Sequence, residues 1–162
     1  MGAQRGAVLV VSLVFLLLLT LLATSSAQNA TLQEKMASSQ AMRDASFQAA
    51  ESVLRAGEGR VRDSGFSQQQ CSSPVACLPP PEALTRSSAG AGGASGVTWV
   101  ASAGGLFGIQ ALGESDDAMG SGQADQPQRL YRVTAIGIQG AFRTVLESIH
   151  TDEKRIMWRQ RL

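Results

Sequence analysis

The sequence is short of several things at once. It holds two cysteines, one histidine, one tyrosine and only 5% aromatic residues. A tetrahedral zinc site would need two ligands beyond the cysteine pair, and His150 is the only histidine. No G-x-S-x-G elbow is present, and His150 has no nucleophile pattern near it, so an enzymatic role is not expected. Neither G-x-G-x-x-G nor G-x-x-x-x-G-K-[ST] occurs, so the glycines are not a phosphate loop. No proline precedes Pro74, no glycine falls between Gly6 and Gly57, and no charged residue falls from 6 to 33. With 44% hydrophobic residues and a single long apolar run, the 162-residue chain is not wholly disordered, collagen-like or a multi-span membrane protein. About 100 residues lie outside the N-terminal part, enough for one small core but not a large enzyme.

The charge-free stretch is nearly continuous hydrocarbon from Ala7 to Ala23, broken by two hydroxyls, and extends through small residues to Ala30. Twenty-four helical residues reach about 36 Å, enough for a hydrocarbon core of roughly 30 Å. Arg5 precedes the run and Glu34 and Lys35 follow it. A cationic start puts the N-terminus in the cytoplasm and the remainder outside. Three readings compete: a signal peptide cut near Ser25-Ser26-Ala27, a plain single-span anchor, and a segment cut ahead of the apolar run at Gln4-Arg5-Gly6/Ala7.

A signal peptide should be followed by a break, and none is found. Helix formers continue past Ala30, and Met36, Phe47, Ala50, Leu54 and Val61 recur at helical spacing, with charges on much of the remaining surface. Glu51 and Arg55 stand four apart in the favourable order. One continuous helix is therefore expected from about 7 to 63, apolar all round in its first half (7–30) and amphipathic in its second (31–63).

Residues 64–128 hold all five prolines and most of the glycines. Cys71 and Cys77 flank Pro74 in a loop, and outside the cytoplasm such a pair reads as a disulfide. Residues 87–125 are Gly-, Ala- and Ser-rich and read as a loosely packed loop, with a short strand conceivable at Val97–Val100 and a weaker apolar patch at Leu106-Phe107. Residues 129–162 alternate apolar and polar side chains around turns, which predicts a three-strand antiparallel meander. Tyr131, Val133 and Ala135 should face one way, and Leu130, Arg132, Thr134 and Ile136 the other. One face should pack on the amphipathic helix, since three strands alone cannot bury their apolar side. His150 reads as an exposed strand-end residue.

Residues 64–128 carry a net charge of −4 and residues 129–162 of +4. The basic residues alternate within strands, with only Tyr131 and Trp158 for stacking, so nucleic acid is not an expected partner. Glu114, Asp116, Asp117 and Asp125 cluster in a Gly-rich stretch without EF-hand spacing. A solvated acidic loop is the main reading and a calcium site the alternative; no other cofactor is expected.

A short leader ending in Gly6, the long apolar helix, its amphipathic continuation, a variable region and a small antiparallel sheet resemble a type IV pilin or pseudopilin. More narrowly, Gln4-Arg5-Gly6-Ala7-Val8-Leu9-Val10, with Tyr131–Ile138 and Thr144–Ile149, is similar to the PilX-type minor pilins. The resemblance implies an α+β fold, with the long helix packed on the sheet. It implies a leader (1–6) cut after Gly6 by prepilin peptidase and methylation of the new terminus at Ala7. It also implies residence in the inner membrane with a periplasmic C-terminal domain, then in the pilus. Partners would be other minor pilins and the major pilin, through the N-terminal helix, and the inner-membrane assembly platform. Two positions depart from the pilin pattern: Ala7 stands where major pilins have an aromatic residue, and Val11 where pilins carry glutamate. That glutamate would pair with the α-amino charge of an adjacent subunit inside an apolar bundle, where an unpaired charge costs several kcal/mol. A subunit without it fits best where no earlier amine needs pairing, as in the tip-located minor pseudopilin of type II secretion. The expectation is thus a low-copy initiation or tip subunit, with a type II secretion pseudopilin and a conventionally secreted or anchored periplasmic protein as alternatives.

Overall fold

The structure, a computed structural model, describes residues 4–116 and 127–161. In chain order it has helix α1 (Gln4–Arg62), a single 3-10 turn (Pro81–Leu84), and strands β1 (Trp99–Ser102), β2 (Gly105–Ser115), β3 (Gln128–Gln139), β4 (Phe142–His150) and β5 (Arg155–Arg161). The chain divides between Ala41 and Met42 into two compact units.

The first unit is the N-terminal part of α1. Every residue from Gly6 to Ser38 is exposed. Met36, expected on the core stripe, is among them at 65% exposure; the stripe meets a core only from Phe47 onward. The helix persists because neither proline nor, after Gly6, glycine interrupts it before Gly57.

The second unit joins the C-terminal part of α1 to one antiparallel sheet in the order β1-β2-β3-β4-β5. The helix presents Ala50, Val53, Leu54 and Val61 to Phe107, Ile109, Tyr131, Val133, Ala135 and Leu146. The opposite sheet face carries a second apolar cluster of Ala83, Val97, Trp99, Leu106, Ile136 and Val145. The alternation along β3 is as the sequence pattern predicts: Tyr131, Val133 and Ala135 join the helix-side cluster, and Ile136 the other. Helix and sheet approach closely at Gly137, where a Cβ would stand 2.1 Å from the Ser46 carbonyl oxygen and 2.4 Å from the Ala50 nitrogen. Beside it, the Ser46 and Thr144 hydroxyls share a 2.8 Å hydrogen bond.

The sheet is larger than expected. β1 overlaps the short strand conceivable at Val97–Val100, but residues 105–115, read as part of a loosely packed loop, form β2, which pairs with β3 from end to end around one bulge. The glycines that suggested a loop are required by the packing. A Cβ at Gly105 would lie 1.8 Å from the Ile136 carbonyl oxygen, and one at Gly108 would lie 2.4 Å from Val97. Because β1 covers only Gly105–Gly108 of β2, the rest of that edge needs another partner. The Gln68–Cys71 segment supplies it. Gln68 Nε2 donates to the Ile109 carbonyl at 2.6 Å, the Cys71 amide to Ala111 at 3.0 Å, and Gln70 Nε2 to Leu112 at 3.3 Å. Side-chain amides thereby cap an edge that would otherwise expose unpaired carbonyls.

Candidate functional site

Two regions carry chemistry that the fold alone does not use. The first is α1 between Gly6 and Ser38. Thirteen large apolar side chains from Val8 to Leu22 are 49–68% exposed. Burying each would be worth about 1.5–3 kcal/mol, far more than a small domain's whole stability when summed. Such a surface belongs in lipid or against other apolar helices. Three of its hydroxyls are already satisfied within the helix. The hydroxyls of Ser12, Thr20 and Thr24 donate to the carbonyls of Leu9, Leu17 and Leu21 at 2.9, 2.8 and 3.0 Å. Helices with all polar groups satisfied internally are what a hydrocarbon medium tolerates. Gly6 has no atom near a would-be Cβ, and Ala7 and Val11 are exposed on the helix surface. Val11 borders a shallow apolar groove with Ala7, Ser12 and Phe15.

The second region is the loop from Cys71 to Leu84 on the sheet face opposite α1. Cys71 and Cys77 are bridged, with Cα atoms 5.3 Å apart. The loop's carbonyls are gripped from the strands beneath. Gln110 Nε2 donates to Ala76 at 2.7 Å and to Leu78 at 3.1 Å. Arg132 donates to Cys77, and Arg161 to Pro80 at 2.7 Å. Arg161, with Arg159, binds the buried carboxylate of Glu147, whose charge also reaches Arg132. Arg159 donates to its Oε2 from Nε and Nη2 at 3.0 and 2.9 Å, and Arg161 to its Oε1 at 3.2 Å. Burial lowers the Arg132 guanidinium from its usual value; Glu147 opposes that and the charges of Arg159 and Arg161 add to it. None of Gln110, Arg132, Glu147 and Arg161 stands out in the sequence. The signal available was alternation: Arg132 and Glu147 sit at inward positions of strands otherwise rich in apolar residues.

The remaining polar residues are structural. Glu58, which by spacing belonged to the solvated side of α1, is buried and clasped by Arg155 from Nε and Nη2 at 2.6 and 2.7 Å. Burial pushes its carboxyl up, but the hydrogen bonds and charge of Arg155, with smaller help from Ser148 and His150, hold it below the ordinary carboxylate value. His150 is buried, not exposed: β4 turns it to the same face as Tyr131, its register partner, and its Nδ1 lies against the Thr151 carbonyl. Of the acidic candidates, Glu114 pairs with Arg129 at 3.7 Å and Asp116 is exposed. Asp117 and Asp125 lie outside the described residues. Among the described residues, no three metal-ligating side chains come together.

Residues 5–55 match the family model described as PilX N-terminal. This N-terminal segment is of the PilX type. The matched stretch is about a third of the chain and contains the whole exposed apolar half of α1, together with most of the half that packs on the sheet. The sheet and the disulfide loop lie beyond it. No curated protein and no solved structure matches the chain. The match supports a minor pilin related to the type IV pilus, and the apolar helix is consistent with a membrane-anchored pilus subunit.

Proposed function

We propose that this protein is a non-catalytic, low-copy minor pilin that starts or tips the type IV pilus. Prepilin peptidase cuts it after Gly6 and methylates Ala7. The apolar half of α1 anchors it in the inner membrane, with the sheet domain in the periplasm, and later packs against the helices of other minor pilins and the major pilin. One observation carries the position in the assembly: no acid occurs from 6 to 33, and the fifth residue after Gly6 is Val11. A subunit that offers no carboxylate cannot neutralise the amine of a subunit ahead of it, so it fits where none is ahead. The PilX-type match favours the pilus over a secretion pseudopilin.

Intact-mass measurement tests the processing: loss of six residues with one added methyl supports the reading, and loss of about 27, at the alternative signal-peptidase site, overturns it. Immunogold labelling tests the position. Sparse label at fibre ends is expected, and dense label along the shaft would sink the tip assignment.

A further inference from the structure

The disulfide loop is held more firmly than a connection requires. Three guanidiniums and a carboxylate are drawn onto a sheet face where apolar side chains of equal volume would often be as stabilising. Together with Gln110, two of the three hold the loop: its carbonyls at Ala76, Cys77, Leu78 and Pro80 are each held from a strand. The Cys71–Cys77 bridge closes the same turn from the side. This held turn then directs apolar side chains into solvent: Val75 is 72% exposed and Leu78 56%. A rigid backbone that displays apolar side chains loses little entropy on binding, which is what preorganised recognition surfaces share. Positive charge is in surplus around the loop, although Glu82 at its far end carries a carboxylate bonded by Ser95. Arg159 and Arg161 pair with Glu147, Arg132 lies within reach of its charge, and the Arg159 side chain is 53% exposed.

We infer that the Cys71–Cys77 loop is a docking surface on which Val75 and Leu78 enter an apolar depression, rimmed by carboxylates, on the globular domain of another pilus subunit. This rests on the minor-pilin reading but concerns a surface outside the family-matched segment. The apolar pair supplies the buried centre of the contact, and the surplus positive charge selects an acidic rim.

The test uses the full-length chain in pilus-bearing cells. The Val75→Asp/Leu78→Asp double variant alters only exposed side chains, so its processing, disulfide and melting point should match the wild type. Its amount in sheared pili should fall about tenfold or more, the loss typical of a charged substitution at an interface centre. A photo-crosslinker at position 75 should give an adduct whose partner peptide comes from a pilus subunit and carries Asp or Glu. The same probe at Val100, exposed on β1, should give none. Wild-type incorporation with an unaffected double variant overturns the docking surface alone. So does an adduct equally strong from position 100, or one formed with lipid or with a protein outside the pilus. A wild-type chain neither cut after Gly6 nor found in pili overturns the minor-pilin reading itself.

Discussion

The two halves of α1 are one helix by backbone and two materials by surface. From Gly6 to Ser38 every residue is exposed, and the apolar side chains between Val8 and Leu22 surround the axis. From Phe47 to Val61 the apolar residues keep to one stripe and lie against β2, β3 and β4. The second half finds its partner within the chain, whereas the first must find one outside it. A helix that is hydrophobic all round cannot be satisfied by a single sheet, because a sheet covers only one side. The pattern of apolar residues therefore reports how many sides a partner must cover.

Four variants, the first with a control, break or sharpen that contrast. The largest effect is expected from Leu17→Arg in the first half. An arginine at the centre of a membrane helix costs about 3 kcal/mol on insertion scales. Membrane fractionation should show most of the variant chain unanchored, while Gln48→Arg, exposed in the second half, should leave anchoring intact. Next is Gly137→Val, which drives a side chain into the helix backbone at Ser46 and Ala50. A loss of about 2–3 kcal/mol is expected in thermal unfolding of the sheet domain, with membrane anchoring unchanged. Removing the bridge with Cys71→Ala/Cys77→Ala should cost about 2 kcal/mol, through a freer unfolded chain. Hydrogen exchange should then rise at Ala76–Leu78 but not at Ala50–Leu54.

The smallest effect is expected at the end of the helix. Arg155→Ala leaves the Glu58 carboxylate buried without its partner; because the Arg155 side chain is itself about a third exposed, the loss should be about 1–2 kcal/mol. This pair also sets a pH dependence. The Glu58 carboxyl lies below its ordinary value in the folded state. Its contribution is therefore full above the ordinary carboxylate range and disappears as pH falls through the folded value. The wild-type melting temperature should drop on acidification in that window, and Arg155→Ala should flatten the slope. An unchanged slope would show that other carboxylates govern acid unfolding.

The helix and β3–β5 were legible because they follow simple periods: 3.6 residues without a breaker, and strict alternation around Gly140, whose positive φ of 58° suits the turn. β2 was not legible. Gly105, Gly108 and Gly113 give it the composition of a loop, yet two of them are there because neighbouring backbone or Val97 comes too close for a side chain. Small residues report tight packing as readily as flexibility, and one sequence cannot separate the two. The apolar anchor of the candidate site was legible residue by residue, because its property is the absence of charge. The grip on the disulfide loop was not, since it depends on which strand residues lie beneath which carbonyls. Glu58 and His150 were misplaced for a related reason: a titratable side chain near the end of an element reads as solvated until a partner such as Arg155, or a neighbour such as Tyr131, is seen to cover it.

The back-bonded hydroxyls of Ser12, Thr20 and Thr24 have a consequence for transfer between surroundings. Each already spends its proton on a carbonyl of its own helix. Moving these three hydroxyls from one apolar medium to another therefore strips none of their hydrogen bonds. For these positions the exchange of lipid tails for protein side chains is a matter of packing, not of finding new partners.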